Sequence, residues 1–214
     1  MSKDLINYYR DRALEYERIY DKPERQEDLR SAANLLKEIF QNKEVLEIAC
    51  GTGFWTQFIA ETARSILATD INDSVIHIAK QKEIKNPALN FQVADLYSFH
   101  ADRQFESLFG GFIYSHILKQ DLDHFFKTLN GFVKKNGLVV LMDNSYVEGS
   151  NQPVTETDEQ GNTYQTRSLD DGSVHKVLKN FATENYLTQK LKNVATDLKF
   201  IQLKYFWILS YKPV

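Results

Sequence analysis

Residues 45–56, which run VLEIACGTGFWT, constrain this chain more than any other stretch. An apolar run from Val45 to Ile48 carries one carboxylate, Glu47, near its end. A turn of small residues follows at Ala49, Gly51 and Gly53, and a helical pattern opens at Phe54. Glycines let the backbone turn tightly and let a ligand approach with no Cβ in the way. The N-terminus of the new helix offers free N–H groups beside the turn. The pattern specifies a strand–turn–helix unit with a nucleotide-type ligand at the turn.

The rest of the chain repeats that alternation. Helices are expected over 3–20 and 24–41, broken near Pro23. Strand one covers 44–49 and is followed by a helix over 54–63. Strand two runs from Ser65 to Thr69 and ends at Asp70, with a helix over 73–83 and a turn at Asn86 and Pro87. Strand three runs from Leu89 to Val93 and ends at Ala94 and Asp95; strand four covers 106–112. A helix over 119–135 closes at Asn136 and Gly137, a C-cap signal, before strand five from Leu138 to Met142. Alternating strands and helices imply an α/β fold with a doubly wound, mostly parallel sheet and helices on both faces. Residues 145–180 interrupt the alternation with a polar insertion containing a β-ribbon over 163–178, turning at Asp171 and Gly172. A helix over 183–196 and a strand-like tail from Phe200 to Lys212 complete the chain. The tail reads either as two strands or as one bent ribbon.

Composition narrows the function classes. The chain has 214 residues, 43% of them hydrophobic, enough for one domain with a sizeable core. A formal net charge of -3 gives no global basic footprint for duplex nucleic acid. The single cysteine, Cys50, allows no disulfide framework and no cysteine metal cluster, so no metal is expected. Without a signal-peptide core or a membrane-length apolar run, a cytoplasmic monomer or homodimer is expected.

The first motif discriminates among nucleotide ligands. A dinucleotide site reads G-x-G-x-x-G, whereas here the sixth position is Thr56, preceded by Phe54 and Trp55. Glu47 would repel a pyrophosphate and suits a cationic ligand such as an ammonium or a sulfonium. On the run from Glu47 through Ala49, Gly51 and Gly53, the chain resembles the class I, Rossmann-like S-adenosylmethionine-dependent methyltransferases, with alanine in place of the first glycine. The resemblance implies a seven-stranded sheet with an antiparallel C-terminal strand, S-adenosylmethionine as donor and S-adenosylhomocysteine as product. It also implies roles for residues. Asp70 would accept from the ribose hydroxyls and Ile71 would pack on the adenine. Asp95 would accept the adenine amino group, with Leu96 covering the ring and Ala94 beside them in the cofactor site. Glu47 would hold the methionine ammonium through water. Ala49, Cys50, Gly51, Gly53 and Thr56 would form the cofactor turn.

Other residues point to the acceptor. Tyr9, Tyr16 and Tyr20 share one stripe of the expected N-terminal helix, a spacing that serves either core packing or a wall over the cofactor. Arg12 could bind the methionine carboxylate with its planar fork. Trp55 divides between core and cofactor wall. His116, after strand four, is the candidate base, because histidine's ordinary pKa suits proton removal near neutrality. Tyr114, Ser115, Asp143 and Asn144 stand at the ends of strands four and five as substrate-binding candidates. The insertion, with Tyr164 and Arg167, reads as a lid for a small polar or anionic acceptor; a surface ribbon or dimer contact is its plainer alternative. Methyl transfer to a small-molecule O, N or S atom is the expected activity. Nucleic-acid base methylation, a non-catalytic scaffold and nicotinamide chemistry are the competing readings.

Overall fold

The computed structural model describes residues 3–214. Its centre is a seven-stranded sheet in the order β3-β2-β1-β4-β5-β10-β9. These strands are β1 (Glu44–Ile48), β2 (Ser65–Asp70), β3 (Leu89–Val93), β4 (Phe105–Gly111), β5 (Val133–Asn144), β9 (Ala195–Gln202) and β10 (Phe206–Pro213). The first five pair in parallel, and β10 runs antiparallel between β5 and β9. The order reverses between β1 and β4, so their carboxyl ends open a crevice there.

Strand periodicity divides the core. On β5, Val140 and Met142 face one side of the sheet and Val139 and Leu141 the other; β10 repeats this with Phe206 and Ile208 against Trp207, Leu209 and Tyr211. The first face is covered by α2 (Gln26–Phe40), α3 (Phe54–Ala60) and α4 (Asp73–Lys80), through residues such as Leu36, Ile59 and Ile76. The second is covered by α5 (Leu122–Phe132) and α6 (Glu184–Leu191), through Phe125, Leu129 and Leu187. A separate three-stranded ribbon, β6 (Glu156–Thr157), β7 (Thr163–Ser168) and β8 (Val174–Leu178), lies in the insertion. It turns where expected, with Gly172 at φ 83°.

Three expectations need correction, and one open alternative is resolved. The helix expected over 3–20 is α1 (Lys3–Asp11), a turn, and a 3-10 helix at Tyr16–Tyr20. The tyrosines take separate partners: Tyr9 meets His116, while Tyr20 stacks on Phe54 with centroids 3.6 Å apart. A straight helix would hold both on one stripe, so tertiary packing overrides local propensity. The helix expected over 119–135 ends at Phe132, and Asn136 and Gly137 sit in a β5 irregularity between the pairs Phe105–Val133 and Ser107–Leu138. Asn136 still adopts the left-handed conformation, φ 66°, that prompted the cap assignment. The helix over 183–196 stops at Leu191, its start capped by the Thr183 hydroxyl accepting from the Tyr186 N–H. The tail is two antiparallel strands with register Trp207 to Gln202, not one bent ribbon.

Candidate active site

The β1–α3 turn lies at the topological switch. Ala49, Gly51 and Gly53 have φ of 51°, 55° and 77°. Ala49 therefore adopts a conformation that glycine takes without strain, at a cost of roughly 1–2 kcal/mol. The turn is tied to β2: the Cys50 N–H donates to the Thr69 carbonyl at 3.0 Å, and the Gly51 N–H to Asp70 Oδ2 at 2.9 Å. Asp70 Oδ1 accepts from the Asn72 N–H at 2.9 Å. Burial pushes the Asp70 carboxyl up, and these backbone donors oppose it. Gly53 packs on α4, where a Cβ would stand 3.1 Å from Ala79 Cβ. At Gly51 a Cβ would meet only Tyr16 Cε1 at 3.9 Å, so the chain leaves open space there.

That space belongs to a cavity of about 890 Å³. The cavity brings together Tyr9, Tyr16, Ala49, Gly51, Asp70, Ile71, Ala94, Asp95, Leu96 and His116 of the expected residues. It adds Leu5, Tyr97, Phe112 and Ile113, which sequence patterns did not single out. Asp95 Oδ1 accepts from the Tyr97 N–H at 2.7 Å, and no described residue donates to Oδ2. Two strand-end acids among apolar walls fit a ligand with hydroxyl and amino donors on an apolar body.

Other expected members of this site stand behind it. Glu47 is 2% exposed and does not line the cavity; its Oε2 lacks a hydrogen-bond partner among the described residues, as does the Thr56 hydroxyl. Burial pushes the Glu47 carboxyl up to about 8, with Asp70 adding to the effect. Cys50 packs into the core behind the turn. Trp55 is not a cavity wall: its indole N–H donates to the Tyr20 hydroxyl at 3.2 Å and its rings pack in the core with Phe112. Its position in the first turn of α3 aims it at the sheet.

A second chamber of about 1030 Å³ lies between the N-terminal segment, the ribbon and the end of β5. Arg12 lines this chamber and not the first, contrary to its expected place beside the cofactor. Asn144 and Arg167 line it as well, with Lys22, Arg25 and Lys179. Tyr9, Tyr16, Phe112 and His116 line both chambers and form the partition. Tyr164 does not reach the chamber: its hydroxyl donates to Asp158 and Lys176 stands 4.4 Å from its ring. Strand alternation on β7 turns Gln165 and Arg167 inward and Tyr164 outward.

Below the chamber, Tyr114, Ser115 and Asp143 are buried, and none of them lines either cavity. Tyr114 packs edge-on against Trp207. Asp143 accepts from the Ser115 N–H at 2.9 Å, the Asn144 N–H at 2.8 Å and Lys179 Nζ at 3.0 Å. Lys179 also donates to the Ser115 hydroxyl at 2.6 Å. Ser115 and Asp143 therefore hold Lys179 at the chamber floor, where burial pulls its ammonium down to about 8 against the pull of Asp143. Arg25 was missed by sequence reasoning because its partners are remote; its guanidinium donates to the Ser150 hydroxyl and carbonyl at 2.9 and 3.0 Å.

His116 stands at the partition. Its Nδ1 is 2.6 Å from the Leu178 carbonyl and its Nε2 is 2.7 Å from the Tyr9 hydroxyl. A carbonyl only accepts, so Nδ1 carries the proton and Nε2 accepts from Tyr9. Burial, then Lys179, pulls the imidazole down to about 3, well below the ordinary value expected of a base.

Comparison with known proteins agrees with this architecture. Residues 45–137 match the family model described as a methyltransferase domain. Phosphoethanolamine N-methyltransferase 1 of Caenorhabditis elegans is 26% identical over 106 residues, 49% of this chain and 22% of that protein. Ribosomal RNA small subunit methyltransferase A of Mesomycoplasma hyopneumoniae (strain J) is 29% identical over 127 residues, 56% of this chain and 46% of that protein. The chain thus spans less than half the length of these curated relatives. Among solved structures, DhpI in complex with SAH superposes with a TM-score of 0.81 at 24% identity, covering 100% of this chain and 98% of that one. The PH0226 protein of Pyrococcus horikoshii OT3 gives 0.73 at 17% identity, covering 94% and 99%. Among the described residues no helix is long and apolar enough to cross a membrane. The sheet order with its antiparallel β10 and the glycine turn tied to Asp70 give this chain the Rossmann-like fold of the class I S-adenosylmethionine-dependent methyltransferases, and residues 45–137 carry the match to a methyltransferase domain.

Proposed function

We propose that this protein transfers the methyl group of S-adenosylmethionine to a small-molecule acceptor, releasing S-adenosylhomocysteine. One observation carries the reading: two chambers of different chemistry meet at Tyr9, Tyr16, Phe112 and His116. The first fits the donor. Asp70 and Asp95 offer acceptors for ribose hydroxyls and an adenine amino group, Ile71 and Leu96 offer apolar faces, and Gly51 leaves room at the turn. Buried Glu47, its Oε2 unpartnered behind the turn, would ionise and hold the ammonium end through water only once that charge is bound. The bound donor supplies an activated methyl on a sulfonium. The chain contributes alignment and exclusion of water, which are the main demands of an in-line displacement.

The acceptor is proposed to occupy the second chamber, with the insertion ribbon as its lid and Asn144 and Arg167 among its contacts. Tyr9 donates to His116, so its oxygen is free to accept from an acceptor O–H or N–H and orient it toward the partition. His116 holds Tyr9 in that orientation; with its imidazole pulled down to about 3 by burial, its part is positioning rather than proton removal.

A ribosomal RNA acceptor is the competing reading, carried by the names of two relatives. The net charge of -3 and the chamber walled by ribbon and N-terminal segment favour a small molecule. Calorimetric titration with S-adenosylhomocysteine tests the donor site: binding on the order of micromolar is expected, lost in Asp95→Ala and in Asp70→Ala. Absence of binding by folded protein would sink the reading. Methyl transfer to ribosomal RNA rather than to small acceptors would overturn the acceptor class.

A further inference from the structure

The second chamber holds a concentration of positive charge that the fold does not neutralise. Arg18 pairs with Asp170 and Lys179 with Asp143. Arg12, Lys22, Arg25 and Arg167 also line the chamber, and none has a carboxylate within ion-pair distance among the described residues. The one carboxylate in the lining, Glu15, accepts from the Asp170 N–H instead. Arg25 is 6% exposed, and Lys22 beside it is pulled down by burial and by the Arg25 charge.

The orientation of these cations is built. Arg12 lies over the rings of Tyr8 and Tyr16, 5.8 and 5.4 Å from their centroids. Arg167 is braced by Gln165 Oε1, which accepts from its Nε at 3.1 Å and from a terminal nitrogen at 2.6 Å. Gln165 is itself buried and tied to the Gln152 carbonyl. Neutral braces fix a guanidinium without spending its charge, which leaves that charge for a ligand. Glu24 acts on Lys22 and Arg25, and Asp28 on Arg25, only from beyond ion-pair distance, so gathering four cations is costly in a ligand-free fold and a bound dianion would offset that cost.

We infer that this chamber is an oxyanion site built for a doubly charged phosphoryl group, and that the acceptor carries such a group. The inference rests on the methyltransferase reading for what the bound molecule then undergoes, but not for the binding itself. A single carboxylate would leave most of the charge unmatched, whereas a phosphate ester offers several oxygens to forked donors. The relative named for phosphoethanolamine acts on a molecule of this class.

The test is calorimetric titration of the full chain with inorganic phosphate and with acetate at fixed ionic strength, with and without S-adenosylhomocysteine. Wild type, Arg12→Gln and Arg167→Gln are compared. Phosphate should bind more tightly than acetate, and each substitution should weaken it roughly tenfold, the loss of one charge-assisted hydrogen bond. S-adenosylhomocysteine affinity should stay unchanged in both variants, showing that they fold. Equal binding of phosphate and acetate, or phosphate affinity indifferent to both substitutions, would overturn the site. Phosphate binding that follows the arginines supports it whether or not S-adenosylhomocysteine binds, and the latter result judges the donor reading separately.

Discussion

The Tyr9 hydroxyl lies 2.7 Å from Nε2 of His116, and this one hydrogen bond joins the N-terminal helix to the end of β4 across the boundary of two chambers. Residues 107 positions apart thereby form one polar contact inside an aromatic wall. The Leu178 carbonyl fixes the imidazole from the ribbon side, so three separate parts of the chain must fold before the contact exists.

Removing the hydroxyl isolates His116. Tyr9→Phe leaves Nε2 buried without a donor, which costs about 1–3 kcal/mol. Urea denaturation should show that loss. Methyl transfer should fall by more than S-adenosylhomocysteine affinity does, because Tyr9 faces the acceptor chamber as well as the donor one. Equal falls would reduce Tyr9 to a donor contact.

Acid stability should depend on His116. Its imidazole is held near 3, below the ordinary 6.5, so the unfolded chain binds the proton first. Stability is therefore lost as pH falls from about 6.5 toward 3. Unfolding midpoints between pH 7 and pH 4 should drop less in His116→Gln than in wild type. The same depression predicts no activity limb near pH 6.5 from this residue in the ligand-free enzyme.

Glu47 gives the opposite slope. Its carboxyl is raised from 4.5 to about 8 by burial, so the folded state keeps a proton that the unfolded state releases. Stability contributed by the neutral acid is present at low pH and lost as pH rises through that window. Glu47→Gln should flatten this fall, and at pH 8.5 the ligand-free variant should unfold no earlier than wild type. A variant less stable at that pH would mean that the ionised carboxylate is held by something stronger than burial.

The Asp143–Lys179 pair sets the chamber floor. Both side chains are almost fully buried, at 1% and 5% exposure. Asp143→Asn strands the ammonium and Lys179→Met strands the carboxylate, and breaking a buried pair from one side costs about 3–5 kcal/mol. The double variant should recover part of that loss, a coupling that a thermodynamic cycle measures directly.

Two glycines of the turn should separate binding from folding. Gly51→Ala places a methyl into the donor cavity with only a 3.9 Å neighbour, so its stability cost is the left-handed strain of about 1–2 kcal/mol while donor affinity falls sharply. Gly53→Ala adds a 3.1 Å approach to Ala79 and should destabilise more than it changes affinity per folded molecule. Calorimetry and denaturation on the same two proteins distinguish the outcomes.

The sequence by itself determined which residues meet in the first cavity. Local patterns place Gly51, Asp70 and Asp95 at strand ends, and a parallel sheet brings every strand end to one edge, so residues far apart in the chain converge without knowledge of any side-chain contact. The ribbon turn at Gly172 was legible for the same local reason. Only the tertiary structure decided the second chamber. Whether Tyr9 and Tyr16 wall a cavity, whether Trp55 packs inward, and whether Arg12 faces donor or acceptor depend on where the N-terminal segment bends, and that bend answers to aromatic partners in other elements. Asp143 and Ser115 read as substrate contacts until Lys179 arrives from the insertion and consumes them. Arg25 carries no local signature at all, because its place is set by Ser150, 125 residues away. Periodicity reports which face of an element is apolar; it cannot report which distant group will meet a polar side chain there.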